Sequence, residues 1–310
     1  MSLFFILLLK IFPLYINILL GYISTKFLKV TREAIANLLI YILGPIVVFS
    51  ATISVKIDLA VLMLPVFFYL FCSIIAFTLL YFYKNSWNDA TGNILAFSGA
   101  TGNTGYFGIP LAVIFFPPYL ADIYIFTVLA SLLYESTTGF YVTAKGNFTV
   151  KQSLQKIMKL PLLYAFVVGL LFNLLGISIP DDLSSYTAQF KGAYGILGMM
   201  LMGMGLVGLK LKKGSDLDYK FISILFILKF VFWPIAILTF IYIDKTYFMF
   251  LNEDLYKVMF LFGIVPLAGN TVTLAVLLDA KPEKASFTVL LSTLVSVIYI
   301  PIVLSLYGGF

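Results

Sequence analysis

The run Ser98–Pro118, SGATGNTGYFGIPLAVIFFPP, decides how this chain is to be read. It lies inside a long apolar segment, yet Gly99, Gly102, Gly105, Gly108 and Pro110 crowd around Asn103 and Thr104. Glycine weakens a helix, and proline removes a backbone N–H and collides with the preceding turn. In hydrocarbon an unpaired amide is costly, so a break at membrane depth survives only where protein or a polar cavity satisfies it. A helix interrupted in mid-membrane is a common place for a transporter to hold its solute. A second run, Leu261–Thr273, LFGIVPLAGNTVT, has the same character, and both contain Gly-Asn-Thr. The rest of the chain reads as a framework around this pair.

Composition sets the class. Of 310 residues, 62% are hydrophobic and 11% charged, with a mean hydropathy of +1.06. Soluble domains carry about twice that charged fraction, so a polytopic membrane protein is expected. Cys72 is the single cysteine, which rules out a disulfide within one chain, and histidine is absent. No His-based triad, His-ligated metal or imidazole relay is available, and no cofactor is expected. The net charge of +6 is accounted for by membrane sidedness, so no nucleic-acid partner is expected. The N-terminal run lacks a charged leader before its apolar core and reads as a retained first span.

A span needs about 20 apolar residues. Ten segments qualify: Leu3–Ser24, Ala34–Ile53, Ala60–Tyr83, Thr91–Phe116, Ala121–Val142, Met158–Ile177, Gly192–Leu209, Phe221–Ile243, Tyr256–Leu278 and Ala285–Leu306. The expected division is 1–146, a linker at 147–157, and 158–310, with five spans in each half. Fourteen of the twenty basic residues fall in loops on one side, among them Lys26, Lys29, Arg32, Lys84, Lys145, Lys210, Lys281 and Lys284. The other side holds Lys56, Lys191, Lys245 and Lys257. Positive charge stays in the cytoplasm, which puts both termini outside. Lysine-rich, arginine-poor usage with a minimal loop fits a prokaryotic plasma membrane.

An odd number of spans per half makes any internal repeat an inverted one, an architecture frequent among secondary transporters. Pro13, Tyr15 and Gly21 open the first half as Pro161, Tyr164 and Gly169 open the second. The two breaks fall in the fourth span of each half. Each second half-helix then starts near the bilayer centre, and its free N–H groups and positive dipole end point inward. Such a site suits an anion. Asn103, Thr104, Asn270 and Thr271 supply neutral donors and acceptors, and Tyr106 an amphipathic wall. A single break could be a mere kink with an asparagine capping loose backbone; two at equivalent positions argue for a site.

The run Gly102-Asn103-Thr104-Gly105-Tyr106-Phe107-Gly108-Ile109-Pro110-Leu111 closely resembles the fourth-span signature of the auxin efflux carrier family, which includes plant PIN-type carriers and bacterial malate or malonate permeases. Pro266-Leu267-Ala268-Gly269-Asn270 resembles its ninth-span signature. Leu20-Gly21-Tyr22 with Asn37, Pro45 and Phe49 resembles its first two spans, and Leu290–Leu304 its last. The resemblance implies an all-α carrier of ten helices in two inverted repeats, with crossed, broken helices 4 and 9. It also implies an elevator mechanism and a homodimer. Spans 1, 2, 6 and 7 would be the scaffold, and spans 3–5 and 8–10 the moving unit. Asn103 would contact a substrate carboxylate, Pro110 and Pro266 would form the crossing, and Pro45 with Phe49 would line the scaffold face.

Two charges lie deep in spans: Glu135 in the fifth and Lys229 in the eighth. An intramembrane charge normally finds a partner. Glu135 is the candidate for a proton or sodium site with Lys229 as its competitor; alternatively the two form a buried structural ion pair, or Lys229 snorkels. The glycine-methionine run Gly195–Gly208 suggests close helix packing, or a sliding surface. Asp279 reads as a solvated end charge. The expected function is transport of a small organic anion. The competing readings are a sodium-coupled carrier like the bile acid symporters, a channel, and a membrane-embedded enzyme. The ninth-span run Ile264–Thr271 holds no carboxylate for a sodium site, no continuous polar stripe marks a channel, and no nucleophile–base pair marks an enzyme.

Overall fold

The computed structural model describes residues 3–144, 161–207, 218–277 and 281–308. The expected linker at 147–157, the lysines at 210–213 and Asp279 lie outside the described residues. All regular structure among the described residues is helical. In chain order the helices are α1 Leu3–Leu28, α2 Arg32–Ser54, α3 Leu59–Tyr83, α4 Thr91–Gly99, α5 Ile109–Phe115 and α6 Pro118–Ala144. Then follow α7 Pro161–Leu174, α8 Asp181–Met204, α9 Tyr219–Phe248, α10 Glu253–Ile264, α11 Asn270–Leu277 and α12 Pro282–Tyr307. Side-chain caps start four of them: Thr31 on Ala34, Asp58 on Val61, Asp218 on Phe221 and Asn252 on Leu255. Each such cap satisfies an amide that has no partner in its own helix, which is worth about 1 kcal/mol.

Among the described residues, six helices are long and apolar enough to cross a membrane: α1, α2, α3, α6, α9 and α12. Their surfaces agree. Helix α1 buries the stripe Leu7, Ile11, Leu14, Ile18, Gly21 and Ser24, while Phe5, Leu9, Phe12, Ile16 and Leu19 are exposed. A helix that is apolar all round, with one packed stripe, is solvated by lipid on its other faces. The chain is therefore an all-helical, multi-pass membrane protein. The remaining apolar stretches differ in form. The fourth is divided into α4 and α5, and the ninth into α10 and α11. The described part of α7 is Pro161–Leu174, and α8 begins well before its apolar part, at Asp181.

The interrupted helices lie at the centre. Every residue of α4 is buried, and so is α10 from Val258 to Ile264. Around them, α1 packs on α8 and α2 on α7 at glycine contacts. A Cβ on Gly21 would fall on the Met200 backbone, and one on Gly203 on the Ile18 carbonyl. Gly169 lies against Phe49 and Thr52, and Asn173 of α7 closes the end of α2 by donating to the carbonyls of Thr52, Ile53 and Val55 at 2.6–3.1 Å. Small residues let membrane helices approach this closely.

Three prolines shape the long helices. Leu39–Leu43, Thr104–Gly108 and Leu228–Phe232 form wide five-residue turns, each ending two residues before Pro45, Pro110 or Pro234. Proline lacks an N–H and strikes the carbonyl four residues back, and a wider turn absorbs that clash. At one end of the molecule Asp218 gathers α9, α12 and the start of α4. It accepts from Trp87 Nε1 at 2.7 Å and from Lys284 Nζ at 2.8 Å, and Lys284 also reaches Thr91. Burial pushes the Asp218 carboxyl up, but the bonds from Lys284, the Phe221 amide and Trp87 outweigh it and hold it below its ordinary value. Elsewhere Asp122 of α6 pairs with Lys191 of α8.

Candidate functional site

Helix α4 ends at Gly99, and Ala100–Asn103 runs out of helical form before the wide turn begins. Helix α10 ends at Ile264, and Val265–Gly269 is likewise non-helical. The two runs cross. The Asn103 N–H donates to the Pro266 carbonyl at 2.8 Å, which joins the breaks by one direct backbone bond. Gly102 makes room here, because a Cβ would stand 2.5 Å from the Lys229 Nζ and 2.8 Å from a Val265 methyl. The Thr104 N–H turns back to the Gly102 carbonyl, and the Gly108 N–H to that of Asn103. Leu267 donates its amide to Ser292 Oγ of α12. These bonds satisfy part of the broken backbone within the protein.

A cavity of about 290 Å³ opens beside the crossing. It is lined by Gly102–Tyr106 and Ala268–Asn270 at the crossing, by Ser131 and Glu135 of α6, and by Leu39, Val48 and Tyr194. Tyr106 and Tyr194 rings lie 5.9 Å apart. Among the described residues, no carbonyl accepts from the amides of Gly105 and Tyr106, and both residues line the space. The Asn103 side chain is buried, and its Nδ2 points at Met202 Sδ of α8, 3.2 Å away. A thioether is a weak acceptor, so a carboxylate would displace it readily. Thr104 Oγ1 donates to Ser131 Oγ at 2.9 Å, and Tyr124 donates to the Thr104 carbonyl.

Glu135 joins the two breaks. It accepts from Asn270 Nδ2 at 2.6 Å on one oxygen and from Thr101 Oγ1 at 3.3 Å on the other. Ser131 and Glu135 are four residues apart, so one face of α6 serves both. Lys229 is not its partner; no ion pair joins the two among the described residues. The Lys229 ammonium is buried without a hydrogen bond, over the Trp233 ring at 4.3 Å and close to Gly102. Trp233 in turn donates to the Gly99 carbonyl, which caps the end of α4. The two charges of the alternative ion pair do not meet: Glu135 is taken by Asn270 and Thr101, and Lys229 turns to Trp233.

The remaining sequence-derived residues divide. Asn103, Thr104, Gly105, Tyr106 and Asn270 come together at the cavity. Pro266 contributes its carbonyl to the crossing, but Pro110 lies beyond it, packed on Gly195. Thr271 is buried beside the site with an unpartnered hydroxyl. Pro45 and Phe49 are not brought to the cavity. Phe49 turns to Phe172 of α7, and Leu39, Ile40 and Val48 take the lining positions on α2. The wide turn before Pro45 shifts the helical phase. Sequence reading did not single out Ser131, Tyr194, Met202 or Ser292; the spacing of Tyr194, Gly198 and Met202, one turn apart, was the available signal. No family model matches this chain, and no curated protein matches it.

Proposed function

We propose that this chain is a secondary carrier for a small organic anion, a carboxylate, working by alternating access in the manner of the auxin efflux carrier family. The observation that carries the reading is the Asn103–Pro266 crossing of two broken, protein-enclosed segments beside a cavity of about 290 Å³. The carboxylate takes the Asn103 amide from Met202, together with the free amides of Gly105 and Tyr106. Charge-assisted bonds of this kind are roughly twice as strong as neutral ones.

The finer architecture belongs to the same proposal: ten spans in two inverted repeats, both termini outside a plasma membrane, assembled as a homodimer. The packing supports it, since the α1–α8 and α2–α7 pairs exchange under a relation that maps the first two spans of each half onto one another. Spans 1, 2, 6 and 7 then form a scaffold, and spans 3–5 and 8–10 carry the crossing. The glycine face of α8 supports movement at that boundary, where Gly195 meets Pro110 and Gly198 meets Tyr106.

One observation favours a cation-coupled form of this reading. Glu135 puts a carboxylate on Asn270, which the ninth-span sequence alone does not supply. An ionised Glu135 and an anionic solute repel within one cavity, and a proton or sodium bound with the solute relieves that repulsion. The test is uptake into proteoliposomes of labelled malonate and indole-3-acetate, with imposed pH or sodium gradients. Uptake of neither acid would sink the reading, while uptake indifferent to both gradients would leave an uncoupled carrier.

A further inference from the structure

Arg32 is the only arginine in the chain; every other basic residue is lysine. It starts α2, and no described residue forms an ion pair or hydrogen bond with its guanidinium. The side chain is half-buried in a cleft of about 40 Å³ between α1, α8, α11 and α12. Its Cζ lies close to Gly205, 3.7 Å from where a Cβ there would stand. Two cleft residues belong to the crossing as well. Gly269 also lines the larger cavity, and Met202 is the sulfur that holds Asn103. Arg32 also acts electrostatically on Tyr106, in the larger cavity.

Membrane sidedness needs only a positive charge at this end of α2, and lysine serves that need everywhere else in the chain. Arginine differs in chemistry. Its planar fork offers parallel donors that match both oxygens of a carboxylate, whereas lysine offers a point charge. A cleft of this size takes a carboxylate head but not a whole solute. We infer that Arg32 is an anion-docking residue: it receives the carboxylate of the carried solute on the side that the lysine bias assigns to the cytoplasm, one step from Asn103. The inference rests on the organic-anion reading and deepens it, by making the approach from that side selective for carboxylates.

The experiment uses purified full-length protein in proteoliposomes of sorted orientation, with labelled malonate and indole-3-acetate as probes. Arg32→Gln should raise KM from the cytoplasmic face about tenfold, with kcat within about twofold and the outer KM unchanged. Arg32→Lys should be nearly as impaired. An Arg32→Lys carrier with the wild-type KM on both faces would overturn the inference, since charge alone would then suffice. Because the chain has a single arginine, phenylglyoxal modification read by intact mass reports on Arg32 without any flux measurement. A transported acid should slow that modification several-fold in the wild type; equal rates with and without it would also overturn the inference. Asn103→Ala separates the two levels. If flux survives Asn103→Ala unchanged, the crossing reading fails and takes this inference with it. If Asn103→Ala abolishes flux while Arg32→Lys is silent, only the docking role falls.

Discussion

The two helix breaks share the letters Gly-Asn-Thr, yet they are fastened differently. The first reaches outward. Thr101 donates to Glu135, Thr104 to Ser131, and Asn103 to the sulfur of Met202 on α8. The second shares Glu135 through Asn270 but otherwise leans on α12, with Leu267 on Ser292. Local sequence therefore sets where a helix stops, while the partners set what each break can do. Asn103 holds a weak acceptor that a solute can replace. Asn270 holds a carboxylate, and on the proposed reading it positions the coupling group instead of the solute.

If that division is right, substitutions at the two asparagines part company. Asn103→Ala should cut carboxylate uptake roughly 10- to 100-fold through loss of one charge-assisted bond, with little change in melting temperature. Equal losses from Asn103→Ala and Asn270→Ala, with the gradient dependence intact in both, would erase the distinction. Glu135→Gln keeps the shape of the side chain but cannot ionise. Uptake should then lose its response to an imposed pH or sodium gradient, and its rate at saturating solute should fall about tenfold. Persistence of the full gradient response in Glu135→Gln would remove Glu135 from the coupling.

Two further changes probe the frame. Ser292→Ala leaves the Leu267 amide buried without an acceptor and should cost about 1–3 kcal/mol of stability. A Cβ in Gly102→Ala meets the Lys229 ammonium and should destabilise by a similar ~1–3 kcal/mol. Thermal unfolding in detergent reads both, and an unchanged midpoint in either would show that the crossing relaxes more freely than its packing suggests. The smallest effect is expected far from the breaks. The Asp218 carboxyl is held below its ordinary value, so its contribution to stability is fully present above about pH 4. It is lost only as pH falls through the lowered folded-state value. The wild type should lose this increment in acid, and Asp218→Asn should show no such loss when unfolding is followed from pH 6 to pH 3.

Much of the architecture was legible. Glycine and proline at Gly99–Pro110 and Pro266–Gly269 interrupt apolar runs, and the structure interrupts its helices there. Glu135 stood out because acids are rare at such depth. What could not be read was pairing across the chain. Nothing in the letters around Lys229 indicates that it turns to Trp233 and Gly102 instead of Glu135. Pro45 and Phe49 rested on the family resemblance alone, and past the wide turn at Leu39–Leu43 it is Val48, with Leu39 and Ile40, that lines the cavity. Helix α8 starts at Asp181 rather than Gly192, because hydropathy marks where a helix meets lipid, not where it begins. In the sequence Arg32 is one loop charge among many; only the fold sets it in a cleft.

The bond from the Asn103 amide to the Pro266 carbonyl has a consequence for hydrogen exchange. It is a protected amide in a stretch without helix, and its proton is released to solvent only when the two breaks part. The neighbouring Gly105 and Tyr106 amides, with no carbonyl to hold them, exchange whenever water enters the cavity. The contrast within three residues gives a clock for each event: one reads the wetting of the cavity, the other the integrity of the crossing itself.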